Sequence, residues 1–262
     1  MDRFNAQDGL EGRGQTSDRT TEVCKGWPFG ADEAVRRQTE AAIALDAPKE
    51  MSLDLGKGVL MKLVLIPPGD FLMGTPRDEP VYHDEEQQHK VTITKPFYLG
   101  RHKVTQKQYE QVMGNSPSYF KKATEPVDSI SWNDATEFCK KLSASSGKLV
   151  RLPTEAEWEY ACRAGTASVY ESDPHAFGLV EMSLGELGQW CADWYDADYY
   201  ALSPQVDPQG PSTGKCHVVR GTGSVLPVMG WRARMADREQ LAYDPEFLSL
   251  VSFRIVCEVD SK

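Results

Sequence analysis

Chemistry by nucleophile or metal would have to come from a few residues in this 262-residue chain, and their spacing gives it little support. The six cysteines are Cys24, Cys139, Cys162, Cys191, Cys216 and Cys257. No two form a C-x-x-C pair, so neither a zinc ribbon nor a thioredoxin-type motif is present. Scattered cysteines of this kind read as small buried hydrophobes, with a single disulfide as the alternative. His83 and His89 flank Asp84, Glu85 and Glu86, but they are not spaced i, i+4, and a solvated acidic turn accounts for them. No Ser–His–Asp order emerges. The Gly221-Thr222-Gly223 stretch lacks the helix that a dinucleotide fingerprint requires. The C-terminal third is richer: Leu226, Met229, Trp231, Arg232, Arg234, Arg238, Tyr243 and Phe247 fall within one stretch. Arginine and aromatic residues are the types that dominate recognition surfaces, so this stretch is a candidate ligand-binding region.

Composition limits the partners. The net charge is -10, which argues against salt-dependent capture of nucleic acid and gives no attraction to anionic lipid. No run reaches the ~20 apolar residues of a membrane helix, and the first twenty residues contain no apolar signal core. The expected address is cytoplasmic, with no nucleic-acid or membrane partner.

The elements that must position these residues are short. Residues 1–22 are polar and are expected to be a disordered lead. DEAVRRQTEAAIALD (32–46) predicts a weakly amphipathic helix with Val35, Ala41, Ile43 and Leu45 on its apolar face, within a 23–49 linker. MKLVLIPPGDFLMG (61–74) predicts two strands about a Pro-Pro-Gly-Asp turn, and 90–100 predicts another strand. Helices are expected over 104–114, with Tyr109, Val112 and Met113 on one face, and after Ser131, with Ala135, Phe138, Cys139 and Leu142 buried. Thr154-Glu155-Ala156-Glu157 is a capping box opening a helix that ends at Gly165. Beyond it, only 217–221 and 252–259 read as strands, with loop between them. The class is α+β with a high loop content.

Several blocks carry a resemblance: LVLIPPGDFLMGT, HKVTITKPFYLGRHKVTQKQY, EPVDSISWNDATEFCKKL and RLPTEAEWEYACRAGT, then QWCADWYD, DPQGPSTG, VVRG and SFRIV. Over residues 50–260 the chain resembles the formylglycine-generating-enzyme-like, or sulfatase-modifying factor, family, which implies a C-type-lectin-like fold. The segment from Trp27 to Asp46 resembles a linker leading into that domain in multidomain bacterial proteins. Active members oxidise a sulfatase cysteine to formylglycine with oxygen and a copper ion on two cysteines. In the matching interval, 220–231, this chain has none, so the resemblance disfavours copper and leaves no catalytic residue to name; only Cys216 or Cys257 could substitute. The family's calcium loop is matched by Gly185–Trp190, where Glu186 and Gln189 still carry oxygens and could hold calcium. A stretch of ~30 residues, usual in the family after R-A-G-T, is missing, a long insertion of the functional kind. Relatives with a three-histidine iron site need a helical companion domain for which ~50 N-terminal residues are too few.

These expectations converge on a non-catalytic domain serving as a ligand- or protein-binding module, with Leu226, Met229, Trp231, Arg234, Arg238 and Tyr243 as its binding residues. For Arg234 and Arg238, bracing of the fold is the alternative. The rival functions are an oxidoreductase of the same family with an atypical site, and a display protein with a diversified C-terminal loop.

Overall fold

The computed structural model describes residues 23–79, 86–168, 174–180, 182, 187–221, 238–241 and 251–260. Helix α1 (Ala31–Leu45) is followed by strands β1 (Glu50–Asp54), β2 (Leu60–Ile66), β3 (Gly69–Met73), β4 (His89–Ile93) and β5 (Phe97–Gly100). Helices α2 (Gln106–Met113) and α3 (Trp132–Ser146), the short strand β6 (Val150–Arg151) and helix α4 (Glu155–Arg163) come next. A 3-10 turn (Pro174–Phe177) leads to β7 (Gly188–Trp194), α5 (Tyr199–Leu202), β8 (His217–Arg220), β9 (Arg238–Leu241), β10 (Val251–Ser252) and β11 (Val256–Glu258).

Three sheets organise these strands. The largest runs β1-β2-β5-β11-β6, a second runs β10-β7-β8-β9, and β3 and β4 form a third. The central strands of the larger sheets are buried on both faces, whereas the edge strand β1 is largely exposed. Val64, Ile66, Phe97, Leu99, Cys191 and Val218 point into a cluster around Trp158 and Phe177. Their neighbours Leu63, Leu65, Tyr98, Trp190 and Val219 point into another around Phe138 and Leu142. Strand alternation thus feeds two cores from one set of strands.

The helix signals in the sequence correspond to real ends. Thr105, Ser131 and Thr154 each close a capping box at the start of α2, α3 and α4. In α3 the buried residues are Ala135, Phe138, Cys139 and Leu142, as the 3.6-residue period requires. In α1 the predicted face holds at Ala41 and Leu45 and fails at Val35 and Ile43. Val35 is 43% and Ile43 74% exposed, while Ala34, Arg37, Gln38, Ala41 and Ala42 are buried. The helix lies close to β2 and the 3-10 turn, so small side chains face inward, and the Gln38 amide donates to the carbonyls of Leu65 (2.8 Å) and Phe177 (3.0 Å). Trp27 and Phe29 pack on the same core, so the 23–49 segment is built into the domain.

The strand readings need further correction. Both halves of 61–74 are strands, but Pro67 and Pro68 separate them into different sheets instead of forming a hairpin. Residues 90–100 divide likewise at Lys95-Pro96, since proline supplies no N–H to continue a ladder. The 252–259 strand is two short strands in two sheets, with residues 253–255 crossing between them. Strands β7 and β9 occupy sequence expected to be loop. Most of β7 is buried, so it shows no alternation to read. The residues 1–22 lie outside the described residues.

Candidate ligand-binding site

The sequence TEAEWE at the start of α4 sorts its three glutamates by helical geometry. Glu157 reaches back to the Thr154 N–H (2.8 Å) and binds Arg151 through both oxygens (2.6 and 2.7 Å). Glu155 and Glu159, four residues apart, share another face. That face meets the four-stranded sheet.

Arg238 of β9 grips Glu155 with two donors, Nε to Oε1 at 2.7 Å and Nη2 to Oε2 at 3.1 Å. Arg220 of β8 donates to Glu155 (2.9 Å) and to Glu159 (2.7 Å). Tyr200 donates to Glu155 Oε1 and accepts from Arg220, both at 3.1 Å. Glu159 also accepts from Arg163 Nε (2.8 Å) and the Gly74 N–H (2.9 Å). Every charged side chain in this set of ion pairs is at most 3% exposed. Burial works to raise the Glu155 carboxyl, but Arg238 and Arg220 overcome it and hold the group below its ordinary value. Burial opposes Glu159 in the same way, and Arg163 and Arg220 prevail. A buried network of this kind adds little net stability over an apolar core, yet removing one member leaves a charge stranded. Its consequence is a fixed geometry.

Asp193 of β7 completes the seat. Its Oδ2 accepts the Glu155 N–H at 2.7 Å, joining the first turn of α4 to the sheet. Burial, reinforced by the charge of Glu155, pushes its carboxyl up to about 8.

The register places Ser252, Gln189, Arg220 and Arg238 side by side across the sheet. The chain leaves the sheet at this row after Arg220 and re-enters it at Arg238, whereas it leaves β9 at the far end, after Leu241 opposite His217, and comes back to the row at β10. The braced row therefore anchors both ends of the 222–237 connection and one end of the 242–250 connection. Of the residues singled out from sequence, Leu226, Met229, Trp231, Arg232, Arg234, Tyr243, Phe247 and Glu186 lie outside the described residues, as do His83, Asp84 and Glu85. Arg238 and Gln189 are described, and both are buried. Arg238 holds Glu155, in keeping with the bracing alternative. Gln189 accepts from Arg254 Nε (2.8 Å) and donates to the Met182 carbonyl (2.9 Å). With a guanidinium already on its oxygen, Gln189 is a poor calcium ligand. The sequence carries part of the signal for the ion-pair network, the i, i+4 carboxylates and Arg220 on an expected strand, but Arg238 falls where a loop is expected and only packing pairs them.

Comparison with known proteins fits this architecture. Residues 56–176 match the sulfatase-modifying factor enzyme 1-like domain. Over that stretch, just under half of its length, this chain is similar to the sulfatase-modifying factor family. A formylglycine-generating enzyme from Streptomyces coelicolor is 37% identical over 140 residues, covering 38% of this chain and 42% of that protein. One from Thermomonospora curvata is 26% identical, covering 69% of this chain and 86% of that protein. The chain thus spans less than half of the first relative and most of the second. Among solved structures, PvdO from Pseudomonas aeruginosa superposes with a TM-score of 0.64 at 25% identity, covering 79% of this chain and 98% of that one. Treponema denticola variable protein 1 gives 0.68 at 23% identity, covering 81% and 100%. The fold is the C-type-lectin-like fold of this family.

Copper held by paired thiolates does not fit the sulfatase-modifying-factor-like domain described here. None of the six cysteines is in a disulfide. Cys216 precedes β8, at the end opposite Arg220, while Cys257 lies on β11 in the other large sheet. Burial pushes the thiols of Cys139 and Cys257 up to about 12 and about 11, and that of Cys191 well above the ordinary value. Ligation needs the thiolate, which burial opposes. Among the described residues no group of three or more His, Cys, Asp or Glu is placed to hold a metal. No described helix is long and apolar enough to cross a membrane.

Proposed function

We propose that this domain is a non-catalytic binding module, presenting residues 222–237 and 242–250 to a protein or peptide ligand. The observation that carries the reading is the disposition of the cysteines: none lies in the 220–231 interval, and of the two nearest in sequence Cys216 lies just before β8 while Cys257 lies on β11 of another sheet. The buried Glu155–Arg220–Arg238–Glu159 network supports it, because it fixes the two strand ends that carry residues 222–237 without leaving its own charges available for chemistry.

Titration of the reduced protein with Cu(I) against a competing chelator tests this, followed by oxygen uptake with a cysteine-containing peptide. The expected outcome is no copper binding tighter than that of a protein with one surface thiol, and no oxygen uptake. One tight copper equivalent, lost in Cys216→Ser or Cys257→Ser and accompanied by oxygen consumption, would overturn the reading in favour of an oxidoreductase.

A further inference from the structure

The connection between α2 and α3 turns two neighbouring aromatic side chains out to solvent. Tyr119 is 80% and Phe120 78% exposed, and their rings meet edge to face with centroids 4.8 Å apart. Single exposed apolar residues are ordinary, but two adjacent rings make one continuous ridge whose burial is favourable.

The backbone under the ridge is held in place. Gln106, buried in the first turn of α2, donates to the Phe120 carbonyl (3.0 Å) and accepts the Lys122 N–H (2.9 Å). The Gln106 N–H donates to the Glu125 carbonyl (2.9 Å), and the Lys107 N–H to that of Ala123 (3.0 Å). From the other side, the Tyr119 N–H donates to Asp128 Oδ1 (3.3 Å), and Ser118 Oγ accepts the Asp128 N–H (3.0 Å). A partner therefore meets a loop that is already ordered, which lowers the entropic cost of binding it. Three exposed cations accompany the rings: Lys107, Lys121 and Lys122. Lys121 Nζ donates to the Ser116 carbonyl (2.6 Å), and Lys122 lies 2.8 Å from the exposed Glu125. On a molecule of net charge -10, this is a local basic surface.

We propose that this loop docks a short acidic segment of a partner protein, with an apolar side chain of the segment on Tyr119 and Phe120 and its carboxylates on Lys107, Lys121 and Lys122. Size favours a segment over a folded partner. Two aromatic side chains bury roughly 150–250 Å² each. That is well short of the roughly 800 Å² per partner of a stable interface, including one with a second copy of this chain. Aromatic centre and lysine rim are the usual layout of a protein contact, and the rim selects an acidic sequence. Lipid fits less well, because an anionic leaflet repels the rest of the molecule. Single-stranded nucleic acid fits less well too, because it is repelled in the same way and edge-to-face rings give no run of parallel stacking surfaces. The proposal uses no residue of 222–237 or 242–250 and stands apart from the role given to them.

The test selects a random peptide display library on the full chain, after removing clones that bind a variant carrying Tyr119→Ser and Phe120→Ser together. Both side chains are exposed, so that variant should melt like wild type, which is checked first. Surviving clones should carry Asp and Glu around an apolar residue. A synthetic peptide of the enriched sequence should shift the backbone amide resonances of residues 119–122 saturably. Phe120→Ser alone, and separately Lys121→Glu, should each weaken it about tenfold, and binding should fall as salt is raised. No surviving clone, survivors without an excess of acidic residues, or equal binding to Lys121→Glu overturns the proposal. Phe120-dependent flotation with vesicles of phosphatidylcholine and phosphatidylserine, or retention of polyuridine, in place of peptide binding also overturns it and reassigns the loop. Copper-dependent oxygen uptake defeats the non-catalytic reading of the domain and leaves this surface standing.

Discussion

At the scale of single residues, the buried charges of α4 set the sharpest expectations. Glu159 is fully buried and holds both Arg163 and Arg220. Glu159→Gln keeps the shape but leaves Arg163 without its carboxylate and Arg220 with Glu155 alone, and a loss of about 3–5 kcal/mol in urea unfolding is expected. A cost below that of a typical surface substitution would mean the network is solvated. Asp193 gives a pH dependence of opposite kind. Its folded carboxyl titrates at about 8 against an ordinary value of 3.8, so between those limits the folded state holds a proton that the unfolded chain has released. Its contribution is complete below the unfolded value and is lost as pH rises through the folded one. Thermal melts should therefore show the Tm of Asp193→Asn rising relative to wild type from pH 5 to pH 8.5; parallel curves would refute the shift.

Elements decide questions that residues alone do not. In α1, Val35 and Ile43 face outward despite their hydrophobicity, because close approach to β2 and the 3-10 turn decides which residues turn inward. Two substitutions separate these accounts by equilibrium unfolding. Ile43→Glu, at a position 74% exposed, should change stability by no more than about 0.5 kcal/mol. Gln38→Ala should cost more, about 1–3 kcal/mol, because it strands the buried carbonyls of Leu65 and Phe177. The reverse ranking would restore the amphipathic reading. In α4, Thr154→Ala removes the hydroxyl that accepts the Glu157 N–H at 3.1 Å, and a loss of about 1 kcal/mol is expected.

Over the whole molecule, the N-terminal segment and the C-terminal strand close one body. Ala34 is fully buried in the same cluster as Trp158 and Val256. A chain beginning at residue 50 should lose its cooperative thermal transition, whereas a tethered linker would be removed without effect. The sequence by itself determined the α+β class, the family resemblance, the three capped helices and the lack of cysteines in 220–231, because caps, helical period and cysteine positions are local properties of the chain. Only the tertiary structure decided that β7 is a strand, that 61–74 and 252–259 each divide between two sheets, and that Arg220 and Arg238 are joined through Glu155. Those outcomes depend on partners tens of residues away: a strand buried on nearly its whole length leaves no periodicity, and a charge shows its pairing only once its neighbour is packed beside it.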